Sequence, residues 1–155
     1  MIEPQVAEQL ESPCSLLVGT VAPDGLPDAT RGWGVDVLGP DRLRVLIAAD
    51  APRTLANLSG GGRVALTTTN FRTMVSWQLK GRALLLEAAS AADRIYFDEF
   101  CAGCLGILVP LHETAEERIS RMIPAGVVAC EMLVEQVFDQ TPGPDAGARV
   151  APVEA

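Results

Sequence analysis

The chain has 155 residues, with 20 acidic against 12 basic side chains, a net charge of −8 and a pI near 4.6. That length suits a single domain burying about two thirds of its unfolded surface, so neither a disulfide nor a metal is required for folding. The acidic balance and scattered basic residues exclude nucleic acid as the main partner, and an apolar fraction of 48% excludes a disordered chain.

Apolar residues at 2, 6, 7 and 10 have helical spacing and predict a short helix over Ile2–Leu10, stopped near Ser12-Pro13. Cys14–Val21 reads as a buried strand, Pro23-Asp24-Gly25 as a turn, and Asp28–Leu38 as a second strand. Gly39-Pro40-Asp41 turns the chain into a third strand, Leu43–Ala49. Pro52 then opens a helix that runs to Leu58 and ends at Gly60-Gly61-Gly62. Arg63–Thr69 and Thr73–Glu87 predict strands four and five, the latter alternating at Val75, Trp77 and Leu79. Two helices are expected over Ala88–Phe100 and His112–Met122, then a last strand over Val127–Phe138. The Pro/Gly/Ala-rich residues Thr141–Ala155 predict a flexible tail. Six short strands must hide their edges, so the expected fold is mainly β, a small closed barrel with peripheral helices.

No basic n-region or apolar h-region opens the chain, and its best apolar run, Cys104–Leu111, falls short of the ~18 residues a membrane span needs. A cytoplasmic setting is expected, with Cys14, Cys101, Cys104 and Cys130 reduced. Cys101-Ala102-Gly103-Cys104 has redox spacing, but it falls at the end of an expected helix rather than at a helix start. Its cysteines read as small buried hydrophobes, and no metal site is expected. His112 reads as a surface or capping residue. The Glu113–Arg121 segment, with pairs such as Glu117 and Arg121, reads as a solvated helix face.

Arg53, at a helix start, has the planar donors to grip phosphate oxygens, and is otherwise a solvated arginine. Gln78 and Lys80 share one face of the fifth strand. An amide there can pair with a flavin edge, or the face can be plain solvent dressing. Trp33 either stacks on a ring or packs at a subunit interface.

Taken in order, Gly19-Thr20-Val21, Pro23-Asp24-Gly25, Pro27-Asp28, Arg53-Thr54-Leu55-Ala56-Asn57-Leu58, Arg63-Val64-Ala65-Leu66 and Gln78-Leu79-Lys80-Gly81 resemble the pyridoxamine 5′-phosphate oxidase-like FMN-binding split barrels. The likeness covers residues 12 to 88. It implies a six-stranded antiparallel split β-barrel domain over 1–140, with a helical insertion at about 88–122. It further implies a homodimer with FMN at the subunit interface and oxidoreductase activity through that FMN. By this resemblance Arg53 and Thr54 hold the phosphate, with Ala48 and Ala49 bordering it. Thr30, Arg31, Gly32, Trp33 and Gly34 line the isoalloxazine, and Gln78 and Lys80 lie near the ring. The match departs from the oxidase pattern at Thr54, where a second basic residue is usual. It departs again at Arg31, which is offset by one position, and near Val35, where an apolar residue replaces a Lys. It also lacks the Trp- and Arg-containing C-terminal segment that holds pyridoxal substrates, so pyridoxamine phosphate oxidation itself is not expected. The alternative is a non-catalytic module binding flavin, deazaflavin or haem on the same barrel. The substrate or electron donor is not specified by the sequence.

Overall fold

The structure, a computed structural model, describes residues 1–150. Six strands, β1 (Ser15–Val21), β2 (Pro27–Gly39), β3 (Arg42–Ala48), β4 (Arg63–Thr69), β5 (Ser76–Ala88) and β6 (Val127–Asp139), form a closed barrel in the order β1-β2-β3-β6-β5-β4. All six pairings are antiparallel. Around the barrel lie helices α1 (Pro4–Glu11), α2 (Pro52–Leu58), α3 (Ala91–His112) and α4 (Glu116–Ser120). This is the mainly-β split barrel with peripheral helices that the sequence predicts.

Alternation explains the barrel. Leu16 and Val18 of β1, Val35 of β2, Leu43, Val45 and Ile47 of β3, and Leu66 of β4 point inward and are almost wholly buried. Leu79 of β5 and Met132 of β6 complete the same core. Each such side chain contributes roughly 1.5–3 kcal/mol of burial. Helix α1 plugs one end, with Val6 and Leu10 fully buried in the same cluster. Gln9 Nε2 fixes the plug by donating to Thr68 Oγ1 at 3.3 Å and to the Val75 carbonyl at 3.1 Å.

Two glycines permit the curvature. Gly81 stands at a register shift in the β5–β6 ladder, where a Cβ would run into the Leu133 carbonyl. Gly34 lies within the β2–β3 shift at φ +136°, and a Cβ there would come within 2.9 Å of the Tyr96 ring.

The helical insertion differs from its expectation. The helix expected to stop at Phe100 runs on to His112, and the CxxC lies in its middle rather than at its end. Between Phe100 and Pro110 only Gly103 and Gly106 oppose a helix, at about 1 kcal/mol each, which is too little to stop it. It opens on a capping box, the Ser90 side chain accepting from the Asp93 amide while Asp93 accepts from the Ser90 amide. It closes at Glu113 in the left-handed conformation, φ +46°. His112 therefore ends a helix instead of starting one, and the following helix is only the five residues of α4. At 22 residues, α3 is also long and apolar enough to cross a membrane by length and composition, which no single apolar run suggests. It lies along the barrel wall, with Phe100 and Cys101 buried. In the segment read as a tail, residues up to 150 turn back along β6. The Val150 amide donates to the Val137 carbonyl, and Val150 packs on the core. Residues 151–155 lie outside the described residues.

Candidate functional site

Strand registers bring the sequence candidates onto one outer wall. Arg31 of β2 lies abreast of Leu17 of β1, which lies abreast of Thr67 of β4, which lies abreast of Gln78 of β5. The next row runs Ala29, Gly19, Ala65, Lys80. Arg31 and Gln78 therefore stand at opposite edges of this wall, three strand spacings or roughly 14 Å apart. Leu17 and Thr67 lie between them, and in the next row the floor is built of small residues. An open trough of about 860 Å³ runs over Gly19, Ala29, Ala65 and Gly81, with Arg63 and Lys80 on one side and Asp28 on the other.

Helix α2 joins this wall at the β2 edge. Thr54 is fully buried, and its hydroxyl donates to Asp28 Oδ2 at 2.7 Å. Asp28 precedes Thr30 by two residues, about 7 Å along an extended strand. Arg53 next to Thr54 is exposed and has no carboxylate partner among the described residues. By contrast Arg42, Arg44, Arg63 and Arg82 all face glutamate or aspartate within 4 Å. Ile47 pairs with Gly32, so the end of β3 runs beside the same stretch of β2. There Ala48 is buried, and Ala49 is exposed with its amide on the Gly126 carbonyl at 2.9 Å. Thr30, Arg31, Gly32, Ala48, Ala49, Arg53 and Thr54 are thus gathered at one edge, although 24 positions separate the first from the last.

The remaining candidates are placed differently. Gln78 Nε2 donates across the sheet to Thr67 Oγ1 at 3.1 Å. Lys80 Nζ sits 4.6 Å from the Phe138 ring centroid, a cation–π contact at an exposed site. Trp33 meets Phe97 of α3 edge-on, with ring centroids 6.3 Å apart. Gly34 lies beneath Tyr96. Helix α3 therefore covers the distal half of the β2 stretch, and Thr30 and Arg31 lie beyond these two contacts.

Sequence reasoning missed the device that holds α3 there. Arg44, outward on β3, donates Nε and Nη2 to the two carboxylate oxygens of Asp93, each at 2.8 Å. It also donates Nη1 to Glu87 at 2.7 Å. The paired hydrogen bonds from Arg44 hold the Asp93 carboxyl well below the usual range and raise the guanidinium still further. Tyr96 Oη donates to the Val35 carbonyl at 2.7 Å, and burial pushes its phenol up to about 12. The Ser90-Ala91-Ala92-Asp93 spacing was the available signal for this end of the helix. Asp28, the partner of Thr54, carried no local signal.

Cys14, Cys101 and Cys130 are buried and Cys104 is half-buried. Burial raises the thiols of Cys14, Cys101 and Cys130 to about 11, and that of Cys104 to about 12. At neutral pH all four are protonated and weakly nucleophilic. Among the described residues no three His, Cys, Asp or Glu side chains are placed to hold a metal ion.

Solved structures with this fold are numerous but distant in sequence. HupZ of Group A Streptococcus superposes with a TM-score of 0.57 at 16% identity, covering 95% of this chain and 100% of its own. A protein described as F420 reductase gives a TM-score of 0.57 at 15% identity, with 84% and 93% covered. A pyridoxamine 5′-phosphate oxidase homologue from Lactobacillus delbrueckii gives 0.53 at 15%, with 88% and 92% covered. These likenesses establish the shared barrel. No curated protein matches the chain in sequence. Residues 2–130 do match the family described as pyridoxamine 5′-phosphate oxidase, and with most of the chain matched over this barrel, the protein belongs to that family.

Proposed function

We propose that the protein is an FMN-binding oxidoreductase that works as a homodimer, with the flavin phosphate on Arg53 and the ring along Thr30 and Arg31. The observation carrying this reading is the exposed, carboxylate-free guanidinium of Arg53 at the edge where β2, the end of β3 and α2 meet. An arginine so placed can offer two parallel donors to a phosphate without first breaking an ion pair. Thr54 fits less well than the resemblance implies. Its single O–H is spent on Asp28, so it braces α2 against β2 and leaves the phosphate to Arg53. At the ring end Thr30 and Arg31 offer polar groups, and Trp33 with Phe97 forms an apolar wall beyond them. When bound, FMN would supply the hydride or single-electron chemistry, and the protein would supply binding, orientation and shielding from water.

The dimer reading rests on the same outer wall. Leu17 and Val21 are exposed there at 49% and 39%, beside a floor of Gly19, Ala29 and Ala65 on which another surface can lie close. The test is the visible spectrum of the purified protein titrated with FMN. Wild type is expected to bind with a perturbed flavin spectrum, and Arg53→Ala to weaken binding about 10- to 100-fold, or 1.4–2.8 kcal/mol. No change on adding FMN to folded wild-type protein rejects the reading. Turnover with a nicotinamide reductant separates an oxidoreductase from a barrel that only carries its cofactor.

A further inference from the structure

A second cavity lies away from the trough, between the mouth of the barrel and helices α3 and α4. Its walls include Leu16 of β1, Trp33 of β2, Phe100 and Leu108 of α3, and Ile119 and Met122 at α4. The three cysteines that border it are protonated and act as small apolar surfaces. Arg31 is the one charged residue in this lining. It is exposed and has no carboxylate within 4 Å among the described residues, in a chain whose net charge is −8. A cavity with apolar walls and one free guanidinium is complementary to a ligand with an apolar body and one planar anionic end.

We propose that this cavity binds an apolar monocarboxylate, its hydrocarbon against α3 and α4 and its carboxylate on Arg31. As it stands the cavity holds about 50 Å³, so a ligand longer than a few carbons enters only as its roof moves outward. Its roof is lightly anchored. Helix α4 has no buried residue, and the left-handed Glu113 joins it to α3. A roof held by so little buried surface can move outward at small cost. Met122 at 48% exposure gives the mouth an apolar rim. Because Arg31 and Trp33 belong both to this wall and to the stretch assigned to the flavin ring, the carboxylate would lie beside that ring. That last step rests on the flavin reading, whereas the binding does not.

The probe is decanoate, kept well below its micelle concentration and followed by the emission of Trp33 in a Trp77→Phe background. A saturable change is expected, with decanol and decyltrimethylammonium binding at least tenfold more weakly. Arg31→Gln should cost decanoate at least tenfold and leave decanol unchanged. Ile119→Glu, on a helix with no buried residue, should abolish binding without unfolding the barrel, as circular dichroism would verify. No saturable response in folded protein, or equal binding of the three probes, overturns the assignment. Titration of the same samples with FMN separates the two readings. FMN binding without decanoate binding rejects this cavity alone, and decanoate binding without FMN binding rejects the flavin alone.

Discussion

Two walls of one barrel have been treated differently. The wall of β2 and β3 carries Gly34, Arg44 and Leu46 outward and is clamped under α3 by Tyr96 and Asp93. The wall of β1 and β4 carries Leu17, Gly19, Ala65 and Thr67 outward and has no helix over it. Alternation runs unbroken along β1 and β4, whereas the register shift between Gly32 and Val35 interrupts it in β2. What also differs is what the outward positions are equipped to meet. The clamped wall meets its own chain through one ion-pair cluster, one tyrosine hydroxyl and one missing Cβ. The bare wall presents small residues and exposed leucine and valine.

The comparison breaks most sharply at Gly34. Gly34→Ala would place a side chain at φ +136° and against the Tyr96 ring, and should cost about 2–4 kcal/mol, read as a lower denaturant midpoint. Next comes Asp93→Asn, which leaves Arg44 without its bidentate partner and should cost about 2 kcal/mol. Here pH adds a check. The folded Asp93 carboxyl lies below its unfolded value of about 3.9, so its stabilisation is complete above that pH and is lost as pH falls further. Wild-type stability should therefore decline below about pH 4 more steeply than that of Asp93→Asn. A parallel decline in both would show that the clamp carries no linked proton. The smallest effect on stability belongs to the bare wall. Leu17→Arg should stay within about 0.5 kcal/mol of wild type while shifting the protein from dimer to monomer in sedimentation. A dimer that survives Leu17→Arg would move the subunit contact off this wall.

Much of the barrel was legible because short β-strands announce themselves twice, by alternation and by turn chemistry. Pro23-Asp24-Gly25 and Gly39-Pro40-Asp41 set two hairpins, and Arg63–Thr69 was read to the residue. The insertion was harder. Helix α3 is apolar almost all round over its second half, so periodicity could not say whether Cys101–Leu111 was helix, strand or loop, and His112 beside Glu113 imitated a helix start. At the site, Arg53 could be picked out by its place at a helix start, and Arg31 only through the family resemblance. Asp28 could not, because its role is set by a contact with Thr54 across 26 positions that leaves no local pattern. The Arg44–Asp93 pair was invisible for the same reason, being 49 positions apart.

The place of β6 has a consequence for how the molecule is made. It inserts between β3 and β5, and its residues 127–139 come after α3 and α4 in the chain. A nascent chain emerging from the ribosome can pair β1, β2, β3, β4 and β5 in register, yet it keeps two open edges until residues 127–139 follow. Open edges of this kind are templates for strands of neighbouring chains. Synthesis thus passes through a window in which the partly built sheet is a hazard to its own copies, and arrival of β6 ends that window by joining both edges in one step.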